Sequence, residues 1–197
     1  MGSIVTVVLA SQPGEGFAAS RWTVPWGATT LLGHVLAEAR TWPPASGLVV
    51  LGDNAETVLD EVDMVGFSVL VDPEWAEGEA ASLRASLDYL QRDDAIEAIL
   101  LVSGAMPLVP PGTVEQLLAA HDARTHPATV PKYRYAWGRP LILDRQLWPR
   151  LLGLEGGTTV EAVLATHTKW VSEVWIDHLP PSLVTRPDDI ETLAPRR

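Results

Sequence analysis

Residues 98–111, AILLVSGAMPLVPP, decide the fold of this chain. The run AILLV is apolar at every position, as a strand covered on both faces of a parallel sheet must be. It breaks at Ser103-Gly104 and passes through Met106-Pro107-Leu108-Val109 to Pro110-Pro111. A strand that stops at a glycine and leads into a proline-rich turn delivers its last residues to a sheet edge, where open α/β proteins bind ligands. An enzyme built this way is expected to present an acidic residue there, yet residue 105 is alanine.

Outward from this stretch, strand and helix patterns alternate. Residues 3–10, SIVTVVLA, predict a central parallel strand, and residues 47–52 and 66–71 predict two more. A small-residue loop, SQPGEGFAAS over residues 11–20, and a turn at Pro25-Trp26-Gly27 lead to a helix capped by Thr29 or Thr30. That helix runs to about Ala39 with Leu31, Leu32, Val35 and Leu36 on one face, and Pro43-Pro44 close the region. A short helix is expected over residues 56–62. After a loop at 72–78, Leu83, Leu87 and Leu90 mark a helix over 79–92. Beyond the central stretch, Thr113 and Gln116 read as a capping box for a helix to Arg124, and Thr158 with Glu161 reads as another after a Gly156-Gly157 turn. Strands are expected at 128–131, 140–143 and 170–176, a short helix at 146–152, and a last helix with Pro187 in its first turn. The alternation predicts one α/β domain over residues 1–197, with a mostly parallel sheet and helices on both faces.

Composition narrows the function. The 197 residues are 47% apolar and 20% charged, which is globular, and no apolar run is long enough to span a membrane. A net charge of −11 argues against a nucleic-acid partner, which needs clustered Lys and Arg. There is no Cys, so disulfides, thiolate metal sites and a Cys nucleophile are excluded, and a cytoplasmic location is expected. No basic segment of signal-peptide type precedes residue 3, and Met1-Gly2 with Thr6, which formally fits a myristoylation pattern, reads better as the lead-in to a strand. The five His are scattered and no HxH or HxxxH pair occurs, so no metal ligands are assigned.

Several blocks in order resemble the molybdenum-cofactor cytidylyltransferase type of MobA-like nucleotidyltransferase. Leu9-Ala10-Ser11-Gln12 follows the first strand where that family has L-A-A-G, and the loop closes at Ser20-Arg21. VPWGATTLLGHVLAEAR resembles its P-x-G-x-x-x-L-x-x-H/R-V helix. Trp75-Ala76-Glu77-Gly78 with Ser82-Leu83-Arg84 resembles E-G-x-x-S-S-L-R, and Ser103-Gly104-Ala105-Met106-Pro107 stands at the G-D-x-P turn. Gly138-Arg139-Pro140 stands at G-H-P, and Pro187-Asp188-Asp189-Ile190 resembles the close of D-x-D-T-P-E-D-L. The resemblance covers nearly the whole chain. It implies a three-layer sandwich with a Rossmann-like, mostly parallel sheet of the nucleotide-diphospho-sugar transferase type.

The resemblance also implies a nucleotide site at Leu9, Ala10, Ser11, Arg21, Ser82, Gly104 and Ala105, and an acceptor side at Lys132, Arg134 and Arg139. The departures fall on the chemistry. The family's two Mg²⁺-binding Asp stand at Ala105 and at Leu183 or Thr185, and its loop Arg and Lys stand at Gly16 and Arg21. Removing one preorganised stabilising group often costs ~10²–10³ in rate, so transfer by the family's mechanism is expected to be weak or lost. No catalytic residue is assigned, and Mg²⁺ enters only if metal-dependent activity persists. The alternative is a non-catalytic binding or scaffold protein whose partner is a nucleotide, a cofactor precursor or a protein.

Local readings stay double. Arg21 is a phosphate clamp or a surface Arg, and the Gly14/Gly16 loop is a phosphate cradle or a plain connection. Asp72 and Glu74 are replacement metal ligands or, more simply, members of a solvated loop. Lys132, Arg134 and Arg139 grip an anionic acceptor or form a salt-bridged surface. Of the eight Trp, most are expected in the core and some at a protein interface.

Overall fold

The computed structural model describes residues 3–44, 46–123, 125–155 and 157–194. The Met1-Gly2 motif, the helix end expected at Arg124 and the glycine at 156 lie outside them. Strand β1 (Ser3–Ala10) lies between β4 (Ser46–Leu51) and β6 (Ile96–Ser103), and β5 (Phe67–Val71) forms an edge beyond β4. These four strands run parallel, and the inner three carry the apolar runs that a strand covered on both faces needs, while the edge strand β5 is largely exposed. On the far side of β6 come β9 (Leu141–Asp144), β7 (Ala128–Tyr133) and β10 (Val171–Ile176), of which β9 is antiparallel to both its neighbours. The predicted mostly parallel α/β sheet is therefore present, with β9 reversed.

Helices cover both faces. Val5, Val7, Leu9, Ile99 and Leu101 point to one side, against Leu83, Leu87 and Leu90 of α3 (Glu79–Leu90). Val8, Ala10 and Val102 face the other way, against Leu32, Val35 and Leu36 of α1 (Leu31–Ala39) and Val58 of α2 (Ala55–Glu61). Ala98 and Leu100 meet Val114 and Leu117 of α4 (Thr113–Asp122). Residues 98–102 are fully buried, so the stretch that marks the fold is its central strand. The hydroxyl of Thr30 caps α1 through the Gly33 N–H at 3.1 Å, and the expected turn at residues 25–27 belongs to a small hairpin of β2 (Pro25–Trp26) and β3 (Thr29–Thr30).

Three local expectations are corrected. Gly112, at φ +77°, occupies the N-cap of α4, a left-handed conformation that favours glycine; Thr113 lies inside the helix and caps nothing. Thr159, one residue after the expected Thr158, caps α6 (Val160–Thr166) through the Ala162 N–H at 3.2 Å. Residues 132–139, read as a connection, contain β8 (Ala136–Trp137), which folds back on the end of β7. Helices α5 (Trp148–Leu151) and α7 (Pro187–Leu193) fall where expected, with Pro187 in the first turn of α7.

Candidate functional site

The carboxyl ends of β1 and β6 are joined by a hydrogen bond from the Gly104 N–H to the Leu9 carbonyl at 2.8 Å. A Cβ at Gly104 would lie 3.0 Å from that of Ala10, 3.1 Å from Leu32 Cδ1 and 3.2 Å from Trp22 Cζ3, so only glycine fits without displacement. Ala105 is buried in the apolar cluster of α1. Its carbonyl accepts the Val184 N–H at 2.8 Å, which lays the segment before α7 across the turn. The two positions that spacing alone could not separate are distinguished here. Leu183 lines a cavity beside the turn, whereas the Thr185 hydroxyl donates to Asp189 Oδ2 at 3.0 Å. The Thr185 and Arg186 N–H groups donate to the same oxygen and hold the Asp189 carboxyl below the usual range, so this carboxylate serves as a cap.

Ser11, Ser82 and Asp72 converge at the head of the loop after β1. Ser82 Oγ lies 2.6 Å from Ser11 Oγ and 2.7 Å from Asp72 Oδ2, and all three residues are buried. The solvated-loop reading is thus corrected for Asp72, while Glu74 is exposed. Gly52 is needed nearby, because a Cβ there would come within 2.7 Å of the Ser11 carbonyl. Across the loop, the Arg21 guanidinium stacks 4.2 Å over Trp22 and donates a long hydrogen bond, 3.4 Å, to the Val184 carbonyl. Its Nε is buried with no partner among the described residues. Burial lowers its pKa to about 10, against the opposing pull of Glu79, so the group stays charged at neutral pH. The Glu15 N–H, donating to the Thr185 carbonyl at 3.1 Å, ties the Gly14/Gly16 loop to the same segment.

The second bank of the site is different. Arg139 is gripped by two carboxylates: Nη2 and Nη1 reach Glu79 at 2.5 and 3.0 Å, and Nε and Nη2 reach Glu161 at 2.6 and 3.1 Å. Burial alone would lower the Arg139 pKa, but the two carboxylates outweigh it and drive it up. Burial alone would raise the Glu161 pKa, and Arg139 outweighs that and holds it down. Lys132 is paired with Glu173 at 2.9 Å and lies 5.1 Å over Trp175, while Arg134 is exposed at the β7–β8 turn. A cavity of about 370 Å³ lies between the banks, lined by Ser103, Met106, Leu183, Glu79, Trp137 and Arg139. A second cavity of the same volume, bordered by Ser46, Tyr89 and Arg92, lies at the opposite end of the strands.

The structure thus brings Leu9, Ala10, Ser11, Arg21, Ser82, Gly104 and Ala105 to one end of the sheet. Of the residues expected in the site only Arg139 lines the cavity, which reaches the other group through its chain neighbours Ser103 and Met106; Lys132 and Arg134 stand apart from the lining. Glu79 was not singled out by sequence, and Glu161 was noticed only as a cap. Acidic residues in the first turn of a helix give no sign that they will meet a distant Arg. Trp22, Trp26 and Trp148 are core residues, and Trp175 is two-thirds exposed.

A mostly parallel sheet with a glycine-bearing turn at the ends of its central strands is an open α/β fold, and its likeness to solved structures makes it of the nucleotidyltransferase type. The chain belongs to the MobA-like NTP transferase domain family, whose model matches residues 6–171. It is similar to the crystal structure of a Mycobacterium tuberculosis Rv0371c homologue from Mycobacterium sp. strain JC1, at 29% identity and TM-score 0.83 over 96% of this chain and 94% of that one. It is also similar to Rv0371c of M. tuberculosis H37Rv in complex with manganese, at 26% identity and TM-score 0.84 over 98% of each chain. Among curated proteins, the bifunctional protein GlmU of Leifsonia xyli is 27% identical over 131 residues, which is 65% of this chain and 27% of GlmU. The chain spans about a quarter of the length of the curated relatives it matches. No helix among the described residues is long and apolar enough to cross a membrane.

Proposed function

We propose that this chain binds a nucleotide at the carboxyl ends of β1 and β6, with nucleotidyl transfer weak or lost. One observation carries the reading: the hydrogen bond from Val184 to Ala105 joins the two segments that supply the metal carboxylates in the family resembled, and here the first position is an alanine buried in the apolar cluster of α1 and the second, Leu183, is an apolar wall of the cavity. The residues present do not fit a resident Mg²⁺. The nearest carboxylates of the cavity, Glu79 and Glu161, are closed around Arg139. Among the described residues no three Asp, Glu or His side chains form a metal-binding group. What remains suits binding. Arg21 offers a fixed cation with unused donors, and the loop of residues 11–20 is tethered at both ends.

A second reading, metal-dependent transfer with a rebuilt donor set, is favoured by the manganese complex of the similar Rv0371c chain. An assay of pyrophosphate release from CTP, GTP and ATP with Mg²⁺ or Mn²⁺, run with pterin-phosphate and sugar-phosphate acceptors present to take the nucleotidyl group, separates the two. The first reading expects release at or barely above the metal-only background for every nucleotide, with no dependence on acceptor. Metal-dependent turnover of one of them overturns it.

A further inference from the structure

The buried Ser11–Ser82–Asp72 chain has a direction. Asp72 is 2% exposed, at the end of the edge strand, where its N–H continues the sheet by donating to the Leu51 carbonyl at 2.8 Å. Its carboxylate accepts on both oxygens: Oδ1 from the Glu74 N–H at 2.9 Å, Oδ2 from Ser82 at 2.7 Å. A carboxylate only accepts, so the single hydroxyl proton of Ser82 goes to Asp72. Ser82 Oγ then meets Ser11 Oγ as an acceptor, and the Ser11 proton is directed inward too, across 2.6 Å. Three elements are thereby joined: the end of β1, the end of β5 and the first turns of α3. A buried carboxylate bonded only to neutral donors costs desolvation that an apolar residue would avoid, so its presence calls for a role beyond packing.

We propose that Asp72, which touches neither the cavity nor Arg21, is a positioning residue for the ligand loop: through Ser82 it fixes the orientation of Ser11 and so presets residues 11–20. The functional part of this inference rests on the nucleotide-binding reading of that loop. The second anchor of the same junction supports it, since Gln12 Nε2 donates to the carbonyl of Trp75, three residues beyond Asp72. The loop is therefore fastened by side-chain bonds from two adjacent residues, Gln12 directly to the segment after β5 and Ser11 to that segment through Ser82 of α3, and Asp72 governs the second, fully buried link.

The isosteric variant Asp72→Asn tests the direction as well as the contact. The Glu74 N–H demands an acceptor at Oδ1, so the new amide cannot flip, and its NH₂ group must face Ser82. Ser82 is then forced to accept from the amide and donate to Ser11, and the Ser11 proton loses its partner. The chain keeps its atoms and reverses its polarity. Ser82→Ala, by contrast, removes the link.

The experiment measures amide hydrogen exchange in the ligand-free protein, and calorimetric binding of CTP, GTP and ATP, for the parent, D72N, S82A and the double variant. The expected result is exchange about tenfold faster at residues 12–20 in each variant, with the β7–β8 hairpin unchanged and the double variant no faster than S82A alone. Nucleotide affinity is expected to fall by a similar factor, about tenfold, with the same non-additivity. Unchanged exchange in D72N, or effects of D72N and S82A that simply add, overturn the positioning role. Because exchange is read without ligand, a parent protein that binds no nucleotide defeats the binding reading while exchange still decides the role of Asp72.

Discussion

The two banks of the cavity have diverged in opposite ways. On the bank built by β1, β6 and the head of α3, the backbone is held tightly: Gly104 closes on Leu9, Ala105 on Val184, and Ser11 on Ser82 and Asp72. Its cation there is Arg21, and its carboxylate, Asp72, is buried and turned away from the cavity. On the bank built around β7–β9, charges are plentiful, but apart from the exposed Arg134 the cations are paired within the protein, Arg139 with both Glu79 and Glu161, and Lys132 with Glu173. In the reading proposed above, a fold of this family keeps the backbone geometry at its strand ends while its charged groups are turned inward. Geometry and charge are separable because backbone hydrogen bonds between strand ends depend little on side-chain identity. A metal or phosphate site depends on a few particular carboxylates and cations.

The largest test removes the inward-turned charge. Arg139→Met leaves Glu79 and Glu161 facing each other without a cation. Urea denaturation is expected to show a loss of about 3 kcal/mol, at the low end for a broken buried ion pair because both carboxylates keep roughly a third of their surface. A loss near zero would mean that the Arg139 cluster is not a structural element of the second bank.

Restoring the first bank is the next test. Ala105→Asp places a carboxylate among apolar side chains and is expected to cost about 2 kcal/mol in metal-free buffer. Combined with Leu183→Asp, which adds a second carboxylate at the cavity wall, it is expected to gain a Mn²⁺-dependent rise in melting temperature that the parent lacks. A parent that already shows this rise contains a metal site the comparison does not recognise.

A smaller effect concerns pH. The folded chain holds the Glu161 carboxyl below its ordinary range, through an Arg139 attraction that exceeds the cost of burial. Its contribution to stability is therefore complete above that range and is lost as pH falls through the depressed folded value. Glu161→Gln should flatten the decline of stability between about pH 5 and 3, and leave the curve above about pH 6 parallel to that of the parent. An unchanged decline would assign the acid sensitivity to other carboxylates.

The smallest effect is expected at Lys132. Its pairing with Glu173 is partly solvated, so Lys132→Met should change stability by less than about 1 kcal/mol and leave nucleotide binding intact. Loss of binding would bring Lys132, and with it the β7–β8 hairpin, into the ligand site.

How much of this could be read in advance follows from the range of the interactions. The strand ends at Ala10 and Ser103, a cap at Thr29 or Thr30 and the first-turn position of Pro187 are recorded in local patterns, and all appear, the cap at Thr30. The absence of an acidic residue at 105 was equally plain. The fate of Arg139 was not, because its partners lie 60 and 22 residues away and neither belongs to a pattern with it. Asp72 looked solvated because it begins a polar loop, DPEWAEG, and only the packing of α3 against β1 shows that it is enclosed. The Thr113 and Thr158 boxes failed for a local reason. Gly112 and Thr159, each beside the expected cap, take the backbone conformation that starts the helix.

The most direct test of the central claim, that a nucleotide site persists here without its metal, is calorimetric titration of the purified protein with CTP, GTP and ATP, each with and without Mg²⁺ or Mn²⁺. The account predicts that one nucleotide binds with an affinity indifferent to the cation. Binding that appears only when the cation is present, or no binding of any nucleotide, would contradict it.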